Sequence, residues 1–208
     1  MEEKIQNIVD RLQGVPTGNI CDSNNKGGNM DAGLKALSKT MRAVGPAFTV
    51  RCQPGDNLTI HKAIYEAPPG SVLVIDAQGF VKAGAFGDIL ATACMEQGII
   101  GVVLDGACRD ANDLEEMEFP VFCRSTNPGG TVKESLGERN ITIQCGGRVV
   151  RPGDWIIADR DGVAVVEVER IEDVVNKAVE KNQKEEEIRQ KILEGHSTIE
   201  LLGLVDKF

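Results

Sequence analysis

Residues 79–113, GFVKAGAFGDILATACMEQGIIGVVLDGACRDAND, carry the pattern that decides the fold of this 208-residue chain. Just upstream, Ser71 to Ala77 (SVLVIDA) is apolar and rich in β-branched residues, and it follows Pro68-Pro69-Gly70, so it reads as a strand buried on both faces. A glycine-rich loop, Gly84 to Asp88, is then expected to lead into a helix. Asp88 favours its positive N-terminus, Ile89, Leu90, Ala93 and Cys94 recur at helical spacing, and Gly98 ends it. The run IIGVVL predicts a second buried strand. Strand, helix and strand make a parallel βαβ unit, whose ligands gather beyond the carboxyl ends of the strands. Asp76, Asp105, Arg109 and Asp110 are all expected at that end.

Outward from this unit, Ile5, Ile8, Val9 and Leu12 predict a short amphipathic helix stopped near Gly14 and Pro16, and residues 22–33 (DSNNKGGNMDAG) read as a connection. Residues 46–52 (PAFTVRC) predict a strand. Pro54 to Asn57 then form a turn and cap for a helix reaching Glu66, with His61 at the core edge. Beyond the central unit, the spacing predicts an acidic helix over 111–118, a strand over 120–124 and a loop at Asn127 to Gly130. Short β-rich segments at 141–145, 148–151, 154–158 and 162–168 are separated by Gly-Gly, Pro-Gly-Asp and Asp-Gly turns, as in hairpins. Val174, Val175, Ala178 and Val179, with Ile188, Ile192 and Leu193 later, predict a long helix from Ile171 to about Gly195. The chain thus reads as α/β with a mixed sheet, one domain with its core at about 10–168 and a helical extension over about 169–208.

Composition removes several classes of function. The formal net charge of −9 opposes a broad phosphate-backbone footprint, so nucleic acid is not an expected partner. No apolar run is long enough for a membrane span, and MEEKIQNIVDRL lacks the features of a secretory leader, which predicts a soluble cytoplasmic protein. Six scattered cysteines without a CxxC read as reduced thiols rather than a disulfide scaffold or structural zinc site. Only two histidines are present, so histidine-based triads and metal clusters have little support.

The chemistry therefore falls to carboxylates and an arginine. Two carboxylates from different loops, an arginine and the free amides of a helix start suit a small anionic ligand with an oxygen-bound divalent cation. A helix-capping and ion-pairing role for the same aspartates is the structural alternative. A lysine Schiff base on Lys82 or Lys62 is a second catalytic route, though nothing in the sequence distinguishes either from a solvated surface lysine.

The spacing Asp88, twenty residues, Arg109-Asp110 resembles the D-x20-R-D signature of the 4-hydroxy-4-methyl-2-oxoglutarate aldolase family, relatives of the regulator of ribonuclease activity A. The likeness extends to Asp56-Asn57-Leu58, to 70–76 and 101–106, and to Pro152-Gly153-Asp154 followed by Asp161-Gly162-Val163, covering roughly residues 10–195. The resemblance implies a β/β/α swivelling-type fold, assembled as a trimer or hexamer with active sites between subunits. It assigns Asp110 to the metal, magnesium or manganese, and Arg109 to the substrate. Gly87, Asp88, Ile89 and Leu90 become the substrate loop, with Asp88 moving protons. The implied reaction is metal-dependent cleavage of 4-hydroxy-2-oxo acids to pyruvate through an enolate stabilised by Arg109, with oxaloacetate decarboxylation accessible through the same enolate. The competing expectation from the same family is a non-catalytic, protein-binding regulator.

Overall fold

The structure is a computed structural model that describes residues 2–207. In chain order the helices are α1 (Glu2–Arg11), α2 (Thr17–Ser23), α3 (Leu58–Ile64), α4 (Asp88–Glu96), α5 (Ala111–Glu116), α6 (Ile171–Leu193) and α7 (Thr198–Leu201). The strands are β1 (Lys35–Ala36), β2 (Ala43–Arg51), β3 (Val72–Phe86), β4 (Gly101–Cys108), β5 (Val121–Thr126) and β6 (Glu138–Arg139), then β7 (Ile143–Cys145), β8 (Arg148–Val150), β9 (Trp155–Asp159) and β10 (Gly162–Val166).

β2, β3, β4 and β5 pair in parallel, with Val50, Ile75, Leu104 and Cys123 in one row. Each crossover between them carries a helix, α3, α4 or α5. The strands are buried on both faces, and period-2 alternation divides their side chains between two cores. Leu73, Ile75, Val102 and Leu104 meet Ile60 and Ile64 of α3, Leu90 and Cys94 of α4 and Leu114 of α5. Val72, Val74 and Val103 face the other way, against Met30, Leu34 and the two-stranded β7–β8 sheet through Ile143, Cys145 and Val150. The layers are therefore β, β and α. Truncating Ile75 or Leu104 to Ala would cost about 2–5 kcal/mol, because neither site can collapse without disturbing both neighbouring strands.

Antiparallel β9 and β10 extend the sheet beyond β2, while β1 closes the far edge against β5. A third core forms over this extension: Ile8, Leu12 and Ile20 from α1 and α2, with Ile171, Val174 and Val175 from α6, cover Val44, Trp155 and Ile157. Of the apolar positions anticipated for α1 and α6, Ile8, Leu12, Val174, Val175 and Ala178 are buried, Ile5, Val9, Val179 and Ile188 are half-buried, and Ile192 and Leu193 at the far end of α6 are exposed. The short α2 lies where only a polar stretch was expected. Pro16 precedes it with φ −65°, a torsion already suited to helix entry, and Asp159 receives both the amide (2.9 Å) and the hydroxyl (2.7 Å) of Thr17.

One correction bears directly on the site. The glycine-rich segment before α4 is no loop: β3 continues through irregular pairings to Phe86, with Phe80 opposite Gly106, Gly84 opposite Ala107 and Phe86 opposite Cys108. Glycine permits this close approach, since a Cβ on Gly84 would lie 2.6 Å from both Arg109 Cβ and the Asn127 carbonyl oxygen. The acidic helix is also shorter than expected, ending at Glu116.

All six cysteines are free, five of them buried. Burial alone pushes the Cys94 thiol up to about 12, as befits an inert core thiol. Among the described residues, no helix is long and apolar enough to cross a membrane.

Candidate active site

Pairing of Phe86 with Cys108 ends β3 and β4 side by side and delivers Gly87-Asp88 next to Arg109-Asp110. The Arg109 amide donates to the Phe86 carbonyl at 2.8 Å, so the two chain segments leave the sheet together. Asp110 sits in the left-handed region, φ 56° and ψ 42°, a conformation that aspartate tolerates better than most residues. That turn starts α5 and brings the Asp110 carboxylate back onto Gly87. A Cβ at residue 87 would collide with Asp110 Oδ2 and stand 3.1 Å from Arg109 Cγ. Arg109 Nε lies 3.1 Å from Asp110 Oδ2, and both side chains stay partly open to solvent at 42% and 31%.

Arg109 forms the wall between two concavities. On one side is a cleft of about 170 Å3 bordered by Asn57, His61, Asp88 and Lys133, together with Gly87, Ile89 and Leu90. On the other is an open groove containing Asp110 and Asp113. Gly87 gives α4 no side-chain cap, and the first intrahelical bond runs from the Ala91 amide to the Gly87 carbonyl at 3.0 Å. The amides of Ile89 and Leu90 therefore border the cleft without an intrahelical acceptor, at the positive end of a nine-residue helix.

The opposite wall is a strap, residues 130–137, that sequence reasoning left unassigned. Asp56 fastens it. Burial raises the Asp56 pKa, but amide donation from Leu58 (2.8 Å), Glu134 (2.8 Å) and Ser135 (2.7 Å), with the charge of Lys133, holds the carboxyl below its usual range. Within the expected Pro54 to Asn57 turn and cap, it is Asp56 that supplies the side-chain bond to the start of α3. The Val132 amide donates to the Gly55 carbonyl at 3.0 Å, which sets Lys133 beside His61. Burial, and then the Lys133 charge, lower the His61 pKa, so His61 is held toward its neutral form. Asn57 is buried with its amide nitrogen on the Ala85 carbonyl (3.1 Å), while its Oδ1 has no donor. The Asp56-Asn57 dipeptide at a helix start was the legible signal for this wall; Lys133 had none.

Of the residues singled out from sequence, Gly87, Asp88, Ile89, Leu90, Arg109 and Asp110 converge here. Asp76 and Asp105 do not. Asp76 faces Arg51 at 3.4 Å and receives the Gln78 amide, while Asp105 pairs with Arg124 and receives the Gly146 amide at 2.8 Å. Both were expected at the ligand end because the strands were expected to stop there; β3 and β4 run on past them. Lys62 pairs with Glu66 at 3.7 Å and Lys82 is exposed, and neither borders the cleft, whose lysine is Lys133.

Known proteins resemble this chain in sequence and in fold. The RraA-like family, described as Aldolase/RraA, matches residues 17–165. A protein of Halalkalibacterium halodurans named "Putative 4-hydroxy-4-methyl-2-oxoglutarate aldolase" is 39% identical over 186 residues, spanning 89% of this chain and 88% of its own length. Among solved structures, an uncharacterized protein from Pseudomonas syringae pv. tomato superposes with a TM-score of 0.86 at 27% identity, covering 96% of this chain and 94% of that one. Streptomyces coelicolor RraAS2, described as an unusual member of the RNase ES inhibitor RraA protein family, superposes with a TM-score of 0.80 at 30% identity, covering 89% of this chain and 98% of that one.

Proposed function

The chain belongs to the RraA-like, Aldolase/RraA family, and on that premise we propose that it is a carbon–carbon lyase, an aldolase dependent on a divalent cation that cleaves 4-hydroxy-2-oxo acids such as 4-hydroxy-4-methyl-2-oxoglutarate to pyruvate. The observation that carries the reading is the convergence of Asp88, Arg109 and Asp110 where paired strand ends meet an uncapped helix N-terminus.

Asp110 would hold magnesium or manganese. Among the described residues no three His, Cys, Asp or Glu side chains gather as a metal cluster, so the reading rests on an ion held by one or two carboxylates. A hard cation that keeps several waters needs only one or two carboxylates, and Asp110, in an open groove that also contains Asp113, fits that requirement. When bound, such an ion supplies Lewis-acid polarisation of the 2-oxo group.

The remaining roles belong to the chain. The Ile89 and Leu90 amides receive the carboxylate next to the 2-oxo group, as a helix start receives an oxyanion. Lys133, across the cleft, takes a second carboxylate, and the unpartnered Asn57 Oδ1 accepts a hydroxyl or a bound water. As the C3–C4 bond breaks, the C4 hydroxyl loses its proton and C4 becomes a carbonyl, while the bonding electrons pass into a pyruvate enolate. The Arg109 guanidinium stabilises the charge growing on the C2 oxygen. Asp88 relays the proton through water and returns it to C3, which completes pyruvate. Loss of carbon dioxide from oxaloacetate leaves the same enolate, so decarboxylation follows from the same residues.

The family resemblance is the ground for a trimer or hexamer with sites between subunits, and Ile89, 69% exposed at the cleft border, is where a second subunit would cover the mouth. The name of the Streptomyces neighbour supports a second reading, a non-catalytic regulator that binds a protein. A pyruvate-release assay over 4-hydroxy-2-oxo acids and oxaloacetate, with magnesium, manganese or excess chelator, separates the two. Turnover that requires metal is expected. No pyruvate from any member of the panel would count against the lyase, and full activity in excess chelator would count against its metal dependence.

A further inference from the structure

A second polar concavity lies apart from the cleft and shares no residue with it. It is a groove of about 520 Å3 between the loop after α2, the β7–β8 turn and the start of α6. Three arginines border it, Arg148, Arg151 and Arg170, in a chain whose formal net charge is −9. Arg148 is held in place by Asn29, with Nε on the backbone carbonyl (2.7 Å) and Nη2 on Oδ1 (3.2 Å). Arg170 has no side-chain partner among the described residues. The acidic groups in the groove compensate poorly. Glu167 touches Arg151 only at 3.5 Å with both side chains more than half exposed, an ion pair worth about 0–1 kcal/mol. Asp154 is buried, its carboxylate is occupied by the amides of Arg151 (2.8 Å) and Val168 (3.3 Å), and burial raises its pKa.

The groove wall is also rigid and incomplete. Asn24, 8% exposed, donates its amide nitrogen to the carbonyls of Val165 (3.2 Å) and Gly27 (3.5 Å), and its buried Oδ1 has no donor. Flipping the amide would oppose oxygen to oxygen, so the orphan is an acceptor without a protein donor. Gly28, at φ 88°, lets the loop lie against β10, where a Cβ would strike both the Val165 carbonyl and the Asn24 side chain. A loop fixed in this way can hold a ligand without a large ordering cost.

We propose that this groove binds a small oxyanion carrying two or more negative charges, a polycarboxylate or a phosphorylated metabolite, with Arg148, Arg151 and Arg170 as its cationic contacts. These two sources offer the arginines the same chemistry. Its volume exceeds the needs of a single inorganic ion.

Titration calorimetry on the full chain with citrate and with pyrophosphate tests the site. Saturable binding of at least one probe is expected, weakened by raising salt from about 50 to about 250 mM as screening grows. Arg170→Ala and, independently, Arg151→Ala should each weaken it about tenfold, the scale of one charge-assisted contact. Arg160→Ala, which changes net charge equally from outside the groove, and Arg109→Ala in the cleft should leave it unchanged. Preference for citrate identifies a polycarboxylate, and preference for pyrophosphate a phosphorylated ligand. Absence of heat with both probes overturns the proposal. So does binding that Arg109→Ala abolishes and Arg170→Ala spares, because the anion would then lie in the cleft.

Discussion

Adding one methyl group at residue 87 should separate the chemistry from the fold. The torsions of Gly87, φ −153° and ψ −170°, are extended and open to any residue, so Gly87→Ala carries no backbone strain. Its effect is steric. The new Cβ would overlap Asp110 Oδ2 and press on Arg109 Cγ at 3.1 Å and Nε at 3.4 Å. Both side chains are partly solvent-exposed and free to swing outward, so the clash is relieved by moving the two groups assigned to metal and substrate.

Overpacking of a closed core costs about 1–3 kcal/mol, whereas replacing Gly with Ala recovers about 0.4–1 kcal/mol by restricting the unfolded chain. With an escape route for the overlapped atoms, the net change in stability should stay within about 1 kcal/mol, or about 2–4 °C in Tm for a chain of this size. Catalysis has no such escape. Displacing Arg109 removes a contact to developing charge worth roughly 3 kcal/mol, and kcat/KM should fall about 10²-fold, with metal affinity falling alongside it. Thermal unfolding, metal titration and pyruvate release on one preparation read all three quantities. A variant with native Tm, native metal affinity and kcat/KM within about threefold of the parent would refute the placement of Asp110 and Arg109 against Gly87 as the working geometry.

The two residues can also be told apart. Asp110→Ala should lose metal affinity and turnover together, while Arg109→Ala should bind metal normally and lose about 10²-fold in kcat/KM, with Arg109→Lys recovering only part because it lacks the planar fork. Asp56→Ala should destabilise the chain by about 2–4 kcal/mol, since three amides lose their acceptor, and should raise KM through release of the strap bearing Lys133; an unchanged KM would detach that strap from substrate binding. His61 has a folded pKa below its ordinary 6.5, so the unfolded chain binds the extra proton first and stability should rise with pH through the range just below 6.5. In His61→Gln that rise should flatten, as followed by Tm between pH 5 and 7; Asp56, likewise lowered, acts only in the range below about 4 and so leaves this window clear.

Elements set by local periodicity were legible in the sequence. Ile5, Ile8 and Leu12 marked α1, Val174 and Val175 marked α6, and Leu73, Ile75, Val102 and Leu104 marked strands that are indeed buried on both faces. What stayed hidden depends on partners distant in sequence. Glycines at 84 and 87 read as loop punctuation because the signal of a glycine is local, yet Gly84 lies in a strand opposite Ala107, since Arg109 and Asn127 need the space of its missing side chain. α2 was obscured for a similar reason: Asp159, more than 140 residues away, satisfies its first turn.

The four aspartates near the strand ends show how far residue type can carry a site assignment. Asp76, Asp88, Asp105 and Asp110 are chemically alike and all follow or flank apolar runs, so sequence alone grouped them. Tertiary pairing divides them. Arg51, on the neighbouring strand β2, faces Asp76, and Arg124, on the neighbouring strand β5, takes Asp105, each bond consuming a carboxylate oxygen inside the sheet. Asp110 also has an arginine partner, but Arg109 precedes it in the chain and borders the cleft itself, so that ion pair lies beside the substrate space. A ligand arriving there can take over Arg109 and free Asp110 for a cation at little cost, because a half-exposed pair is worth about 0–1 kcal/mol. Breaking the buried Asp105–Arg124 pair would strand a charge in the sheet at several kcal/mol. Exposure of the carboxylate is what separates the candidate catalytic aspartate from the structural ones, 31% for Asp110 against 10% for Asp76 and Asp105, since Arg51 is as open as Arg109.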